Sequence, residues 1–237
     1  ILSKELEKVH TLVPELPFSN VWIAQHTAHL IPQGSSVHFG ILNSLRAWNF
    51  FDLPKGVTSF CNVGGFGIDG CLSSLIGASL LDFSKLFFGV LGDLSFFYDM
   101  NVLRNEGIGN NVRILIVNNG RGTEFRNYSH SAAIMGKAVD PYVAAAGHFG
   151  YQSDTTIQRY VISCGFEYMS AYNKSEYLTK VKYFTTAAHL DKSMVLEVFT
   201  DPDCESEALK TISSILKGGK RNYLNKVKGV VKKILKK

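Results

Sequence analysis

The chain has 237 residues, 46% hydrophobic and 19% charged, which is ample for one large core and lies at the upper end of single-domain size. Its formal net charge of +5 is unevenly placed: from Lys217 onward there are many Lys and Arg and no acid, while the body before is close to neutral. That balance gives no case for nucleic-acid binding. The longest apolar stretch, around Leu72–Leu81, contains Ser and Gly and is too short to cross a bilayer.

In chain order, Ser3–Leu12 reads as a helix entering from something upstream, and an opening at Ile1 points to a processed or excised piece. Ser19–Leu30 reads as a helix capped by Ser19 or Asn20 and stopped at Pro32–Gly34. Ser36–Ile41 is a short strand, followed by Asn43-Ser44 and a helix through Phe51. Val57–Asn62 is β-rich and ends in Gly64, Gly65 and Gly67; Gly70–Leu81 is a helix rich in small residues. Leu86–Leu91, Val112–Val117 and Met194–Phe199 are runs apolar on both faces, the pattern of strands buried in a parallel sheet. Helices alternating with such strands predict an α/β, doubly wound, mostly parallel sheet with helices on both faces and right-handed crossovers. Residues 1–18 are expected to be an entry helix, 19–216 the domain, and 217–237 a basic C-terminal helix.

Two loops carry chemistry. Gly92-Asp93-Leu94-Ser95 and Asn118-Asn119-Gly120-Arg121-Gly122 each follow an apolar strand, at the sheet edge where ligands bind in this architecture. An Asp there supplies a hard anionic oxygen, an Asn a neutral one, and the Arg121 carbonyl a third; Mg²⁺ takes such ligands and shares them with phosphates. Glycines let the backbone approach a diphosphate, and a helix N-terminus favours its charge. Alone, a strand-end Asp is a helix cap and Asn-Asn-Gly is a turn. One helical crossover between them brings both loops to one edge and favours the ligand reading.

These motifs resemble the thiamine-diphosphate enzymes, which carry Gly-Asp-Gly, a spacer of this length, and then Asn-Asn. Here the first motif is Gly-Asp-Leu. The stretches GDLSFFYDMNVL (Gly92–Leu103), NVGGFGIDG (Asn62–Gly70) and Asn43-Ser44-Leu45 resemble the branch of menaquinone-pathway SEPHCHC synthases. The likeness is good over Asn20–Phe125, looser to about Leu209, and does not include the tail.

The resemblance implies a diphosphate-binding domain of an enzyme that decarboxylates a 2-oxo acid and releases or transfers the aldehyde unit. Thiamine diphosphate and Mg²⁺ are the implied cofactors. Asp93, Asn119 and the Arg121 carbonyl would ligate the metal. Asn43, Ser44, Gly92, Leu94, Ser95 and Gly122 would lie along the cofactor, with Gly65 and Gly67 beside its aminopyrimidine. Ile68 would be the apolar wedge that bends it, and Phe125 would face the reacting centre. The activating Glu belongs to a separate pyrimidine-binding domain, upstream or on a partner subunit, and a homo- or hetero-oligomer is implied. The alternative is a non-catalytic binding or regulatory subunit of the same fold.

Three positions depart from that branch: Val63 and Trp48 stand where it has arginines expected to grip substrate carboxylates, and Glu124 where it has an apolar residue. A carboxylate at 124 would repel an anionic acceptor, whereas the Arg121 side chain is a candidate to meet a substrate carboxylate. His26, His29, His38 and His148 read more readily as structural than as acid–base groups. Cys61, Cys71, Cys164 and Cys204 are scattered, as in a cytoplasmic protein with reduced thiols, and form no zinc pattern. Tyr128–Ala138 is either a mobile active-site segment or an ordinary connection. Tyr223–Lys237 carries one apolar helical stripe with Lys elsewhere, suited to packing on its own domain or to docking on a membrane surface or partner.

Overall fold

The computed structural model describes residues 7, 9–142 and 153–216. His148 and the expected basic helix Tyr223–Lys237 lie outside these residues, as does much of the expected entry helix, of which 9–12 are helical. In order come α1 (Asn20–Thr27), β1 (Ser36–Phe39), α2 (Asn43–Trp48), β2 (Thr58–Cys61), α3 (Cys71–Ser79), β3 (Phe87–Gly92), α4 (Asp93–Asp99) and β4 (Val112–Asn118). Then follow α5 (Thr156–Ser163), β5 (Glu167–Ala171), α6 (Lys174–Phe184), β6 (Met194–Phe199) and α7 (202–216).

The six strands form one sheet in the order β2-β1-β3-β4-β6-β5, and every pairing is parallel. From β1 the chain adds β2 on one side and then crosses back past β1 to add β3 on the other, so a topological switch point lies between β1 and β3. β4 explains why the centre is stable. Leu115 and Val117 pack into the core on one face, and Ile114 and Ile116 into the core on the other. Each such aliphatic side chain contributes about 1.5–3 kcal/mol by leaving water. Residues of α1, α2, α6 and α7 join the first core, and residues of α3, α4 and α5 the second.

Local chemistry sets the element ends. Ser19 caps α1 by accepting from the Trp22 N–H at 3.3 Å. The helix runs only to Thr27, and the rest of the expected Ser19–Leu30 helix is a tighter 3₁₀ turn over Ala28–Leu30. Asn173 caps α6 by accepting from Glu176 N–H at 3.0 Å, and the Glu176 carboxylate returns to the Tyr172 N–H at 3.0 Å. Gly89 lets α3 close on the sheet: a Cβ there would stand 2.6 Å from Leu75 Cδ2. β2 is an edge strand with Phe60 exposed. The expected loop Tyr128–Ala138 includes the first part of a run of 3₁₀ turns, Ser131–Tyr142, kinked at Gly136.

Candidate functional site

Three loops meet at the carboxyl ends of β1, β3 and β4, beside the switch point. After β1 the backbone turns sharply at Leu42, whose φ of 66° lies in the left-handed region. A non-glycine residue held there stores roughly 1–3 kcal/mol of strain, the kind concentrated at ligand sites. The turn starts α2 at Asn43 and aims its amide across the site: Nδ2 donates to Thr123 Oγ1 at 2.7 Å.

After β3, Gly92 precedes α4 and Asp93 is its first residue. Asp93 is 2% exposed, and burial pushes its carboxyl up to about 7. Backbone N–H groups of Asn119, Asp93 and Leu94 act against that rise, and the nearby Glu197 carboxylate adds to it. After β4, the Asn118 side chain turns inward: Oδ1 accepts from Gly120 N–H at 3.1 Å, and Nδ2 donates to Glu197 Oε1 at 2.6 Å. Asn119 Oδ1 accepts from Arg121 N–H at 3.3 Å. Both asparagines thus brace the loop through Oδ1, and Asn119 also lines the cavity that these loops enclose.

The loops enclose a cavity of about 100 Å³ whose wall includes Asn43, Ser44, Ile68, Gly92, Asp93, Leu94, Ser95, Asn119, Arg121, Gly122 and Phe125. Sequence reasoning placed these residues together, and the fold brings them together. Gly65 and Gly67 are not part of that wall; they lie on the loop after β2, where Gly65 is exposed. That loop is braced by Asn62, whose Nδ2 donates to Gly67 O at 3.0 Å and Asp69 O at 2.8 Å. Ser95 has a second duty: its hydroxyl donates to the Ile68 carbonyl and fixes that side chain's backbone at the cavity. A wider groove of about 810 Å³ lies at the opposite strand ends, near Asn110 and Ser193, away from this chemistry.

Several side chains behave differently from the expectations. Arg121 does not hang free: Nη1 lies 2.7 Å from Asp140 Oδ2, and Arg126 shares that carboxylate at 3.2 Å. Glu124 is not a bare anion, because Arg46 clamps it at 2.7 and 3.2 Å. Trp48 is buried, and its Nε1–H donates to Asn20 Oδ1 at 3.3 Å, whereas Val63 is exposed. Among the histidines, His26 stacks on Trp22 and bonds its carbonyl, His29 is exposed, and His38 is buried on β1.

Sequence reasoning missed Asn20, Thr123 and Glu205 on the cavity wall, and Glu197 behind Asn118. Glu205 is 4% exposed and accepts from the Asn20 N–H at 3.0 and 3.2 Å and from Thr200 Oγ1 at 2.6 Å. Burial pushes both Glu197 and Glu205 up to about 7. Glu197 had a readable signal, an acid inside the apolar run MVLEVF; Glu205 had none, since it lies in the first turn of a helix beside Asp203 and Glu207.

The fold is a doubly wound α/β domain of the kind seen in a solved thiamine diphosphate-dependent enzyme. A solved structure, the thiamine diphosphate-dependent 4-hydroxybenzoylformate decarboxylase of Rhodococcus jostii RHA1, superposes with a TM-score of 0.57 at 18% identity, covering 80% of this chain and 34% of that one. No protein-family model matches. Among curated proteins, the 2-succinyl-5-enolpyruvyl-6-hydroxy-3-cyclohexene-1-carboxylate synthase of Phocaeicola vulgatus is 33% identical over 199 residues, 84% of this chain and 34% of the relative. That of Bacteroides fragilis is 32% identical over 197 residues, 83% of this chain and 34% of the relative. The chain belongs to the family of these synthases and spans about a third of their length. Among the described residues no helix is long and apolar enough to cross a membrane, and the four cysteines are free thiols.

Proposed function

We infer that the chain is the diphosphate- and magnesium-binding domain of a thiamine-diphosphate-dependent enzyme acting on a 2-oxo acid. The carrying observation is Asp93: a buried carboxylate on the wall of a cavity that also offers Asn119 and the Arg121 backbone. A buried anion of this kind calls for a cation, and the available hard oxygens suit Mg²⁺. Among the described residues no cluster of three His, Cys, Asp or Glu side chains could hold a metal by itself. Asp93, Asn119 and the Arg121 backbone offer one carboxylate, one amide and one carbonyl, which phosphate oxygens would complete.

The donor set therefore fits the group. Asp93, Asn119 and the Arg121 carbonyl would hold Mg²⁺; Gly92, Leu94 and the N-terminus of α4 would face the diphosphate. Ile68, whose carbonyl accepts from Ser95, would support the cofactor, and Phe125 would line the apolar side of the site. When bound, thiamine diphosphate supplies the electron sink for decarboxylation, while the protein contributes shape and electrostatics. The activating Glu is supplied by a pyrimidine-binding domain, elsewhere in the polypeptide or on a partner subunit, and the working enzyme is an oligomer. A second reading, a binding or regulatory subunit without turnover, is favoured by the ion pairs that occupy Arg46 and Arg121.

Calorimetric titration of thiamine diphosphate with Mg²⁺, on this chain and with the complementary domain supplied, tests the proposal. Binding should require Mg²⁺ and disappear in Asp93→Ala. Absence of binding in both forms would overturn it. Binding without decarboxylation of any 2-oxo acid by the complete assembly would select the regulatory reading.

A further inference from the structure

Glu205, on α7, lines the same cavity as Asp93 and is 4% exposed. Its contacts are neutral groups. Oε1 accepts from the Thr200 hydroxyl at 2.6 Å, and the Asn20 N–H lies 3.2 Å from Oε1 and 3.0 Å from Oε2. Among the described residues no Lys, Arg or His forms an ion pair with it. A metal ion held by Asp93 would balance that carboxylate and leave Glu205 without a counter-charge. The charged groups around Glu205 are Asp201, Asp203 and Glu207 on its own segment, Asp93, Arg121 and Glu124 on the cavity wall, and Glu197 on β6 behind Asn118. Arg121 is held by Asp140 and Glu124 by Arg46, and the first turn of α1 brings Asn20 and no acid.

We propose that Glu205 is a cofactor-binding residue that carries a proton while the diphosphate is bound, so that the chain takes up a proton with thiamine diphosphate and holds the cofactor more weakly as pH rises. The inference rests on the enzyme reading above and deepens it by adding a residue to the cofactor's site and a pH dependence to its affinity. The physical reason is charge. A diphosphate entering a cavity of about 100 Å³ brings its negative charge beside the buried carboxyl. Like charges sharing such a site disfavour ionisation, so the carboxyl takes a proton. An acid kept neutral in this way turns from a repelling anion into a hydrogen-bond donor. Oε1 already receives the Thr200 hydroxyl, which leaves Oε2 as the less satisfied oxygen and the better place for the proton. In the free chain burial has pushed the carboxyl up to about 7, so the proton is taken at little cost near neutrality. Below that pH the free chain already holds the proton and affinity is full; above it each binding event must first add one, and affinity falls. Asp93 works with the opposite sign, since a metal ion displaces its proton, and that contribution is common to the wild type and to a variant at 205.

The test titrates thiamine diphosphate with saturating Mg²⁺ calorimetrically into the full chain, with the complementary pyrimidine-binding domain supplied, as wild type and Glu205→Gln. Each titration is run at pH 6 and pH 8 in two buffers of different ionisation enthalpy, so that the heat counts the protons taken up. At pH 8 the wild type should take up about one proton more per cofactor than Glu205→Gln, and at pH 6 the two counts should agree. Between pH 6 and pH 8 the wild type's affinity should fall about tenfold more than the variant's, as expected for a group at about 7 that must be protonated to bind. A carboxyl that served only to hold α1 would leave the proton count unchanged. Equal counts and parallel pH profiles, with normal Mg²⁺-dependent binding, sink this inference alone. Absence of cofactor binding in both proteins sinks the enzyme reading and this inference with it. A folding failure in Glu205→Gln does not remove the test, because inorganic pyrophosphate with Mg²⁺ has no basic ring to protonate. Its binding to the wild type at pH 8 should show net proton uptake, and a count of zero or a net release would overturn the proposal.

Discussion

Glu205→Gln keeps the shape of a buried side chain and removes its charge. In the folded chain the carboxylate accepts two contacts from the Asn20 N–H and one from the Thr200 hydroxyl, yet its desolvation outweighs them, and the group is pushed from 4.5 up to about 7. At pH 4 both folded and unfolded chains hold the proton, and burial of this group costs little. Between pH 4.5 and 7 the folded chain holds a proton that the unfolded chain has released, so stability falls as pH rises through that window. Above pH 7 the full cost is present; the rise to about 7 corresponds to about 3 kcal/mol. Gln cannot ionise, its carbonyl can take the Asn20 N–H, and its amide can donate to the Thr200 hydroxyl. Urea unfolding at pH 4.5 and at pH 8 should therefore show near-equal stability at the lower pH and a more stable Glu205→Gln protein, by up to about 3 kcal/mol, at the higher. A difference between the two proteins that is the same at both pH values would refute the reasoning, because lost hydrogen bonds alone carry no such pH dependence.

His38 gives the opposite slope: burial, aided by Lys85, holds it down to about 4, so the unfolded chain takes up the proton first and stability falls as pH drops from 6.5 to 4. His38→Gln should flatten acid unfolding followed by circular dichroism over that range, and an unchanged profile would show that the ring is not held neutral. Gly89→Ala should cost about 1–3 kcal/mol in urea unfolding, since its Cβ would overlap Leu75 Cδ2 at 2.6 Å unless the leucine shifts. Unimpaired stability would mean that α3 has room to move off the sheet.

Much of this molecule was legible before any coordinates. The runs at 86–91, 112–117 and 194–199 are apolar on both faces, and only a sheet covered on both sides satisfies that, so they appear as β3, β4 and β6 within a residue or two. The order of motifs after them also placed Asp93 and Asn119 at one edge, because parallel strands joined by crossovers all end on the same side. β5 was not legible: EYMSA at the far edge is only partly buried, so nothing forced a hydrophobic pattern on it. The flanking α5 and α6 were missed for the same reason; each buries a narrow stripe of two or three residues.

Side-chain partnerships between segments distant in the chain were beyond the sequence. Arg113 stands second in the run VRILIV yet is fully buried, its guanidinium donating to the Asn110 and Ala188 carbonyls at 3.1 and 3.3 Å. Glu124 read as a lone anion and is clamped by Arg46, 78 positions away in the chain; Arg121 read as available and is held by Asp140. Periodicity and motif spacing report which face of an element is buried and which loops share an edge, because those follow from the backbone's own geometry. Which charge meets which depends on the approach of segments distant in sequence, and that is decided only when the sheet closes and the loops at its edge are brought within a few ångströms of one another.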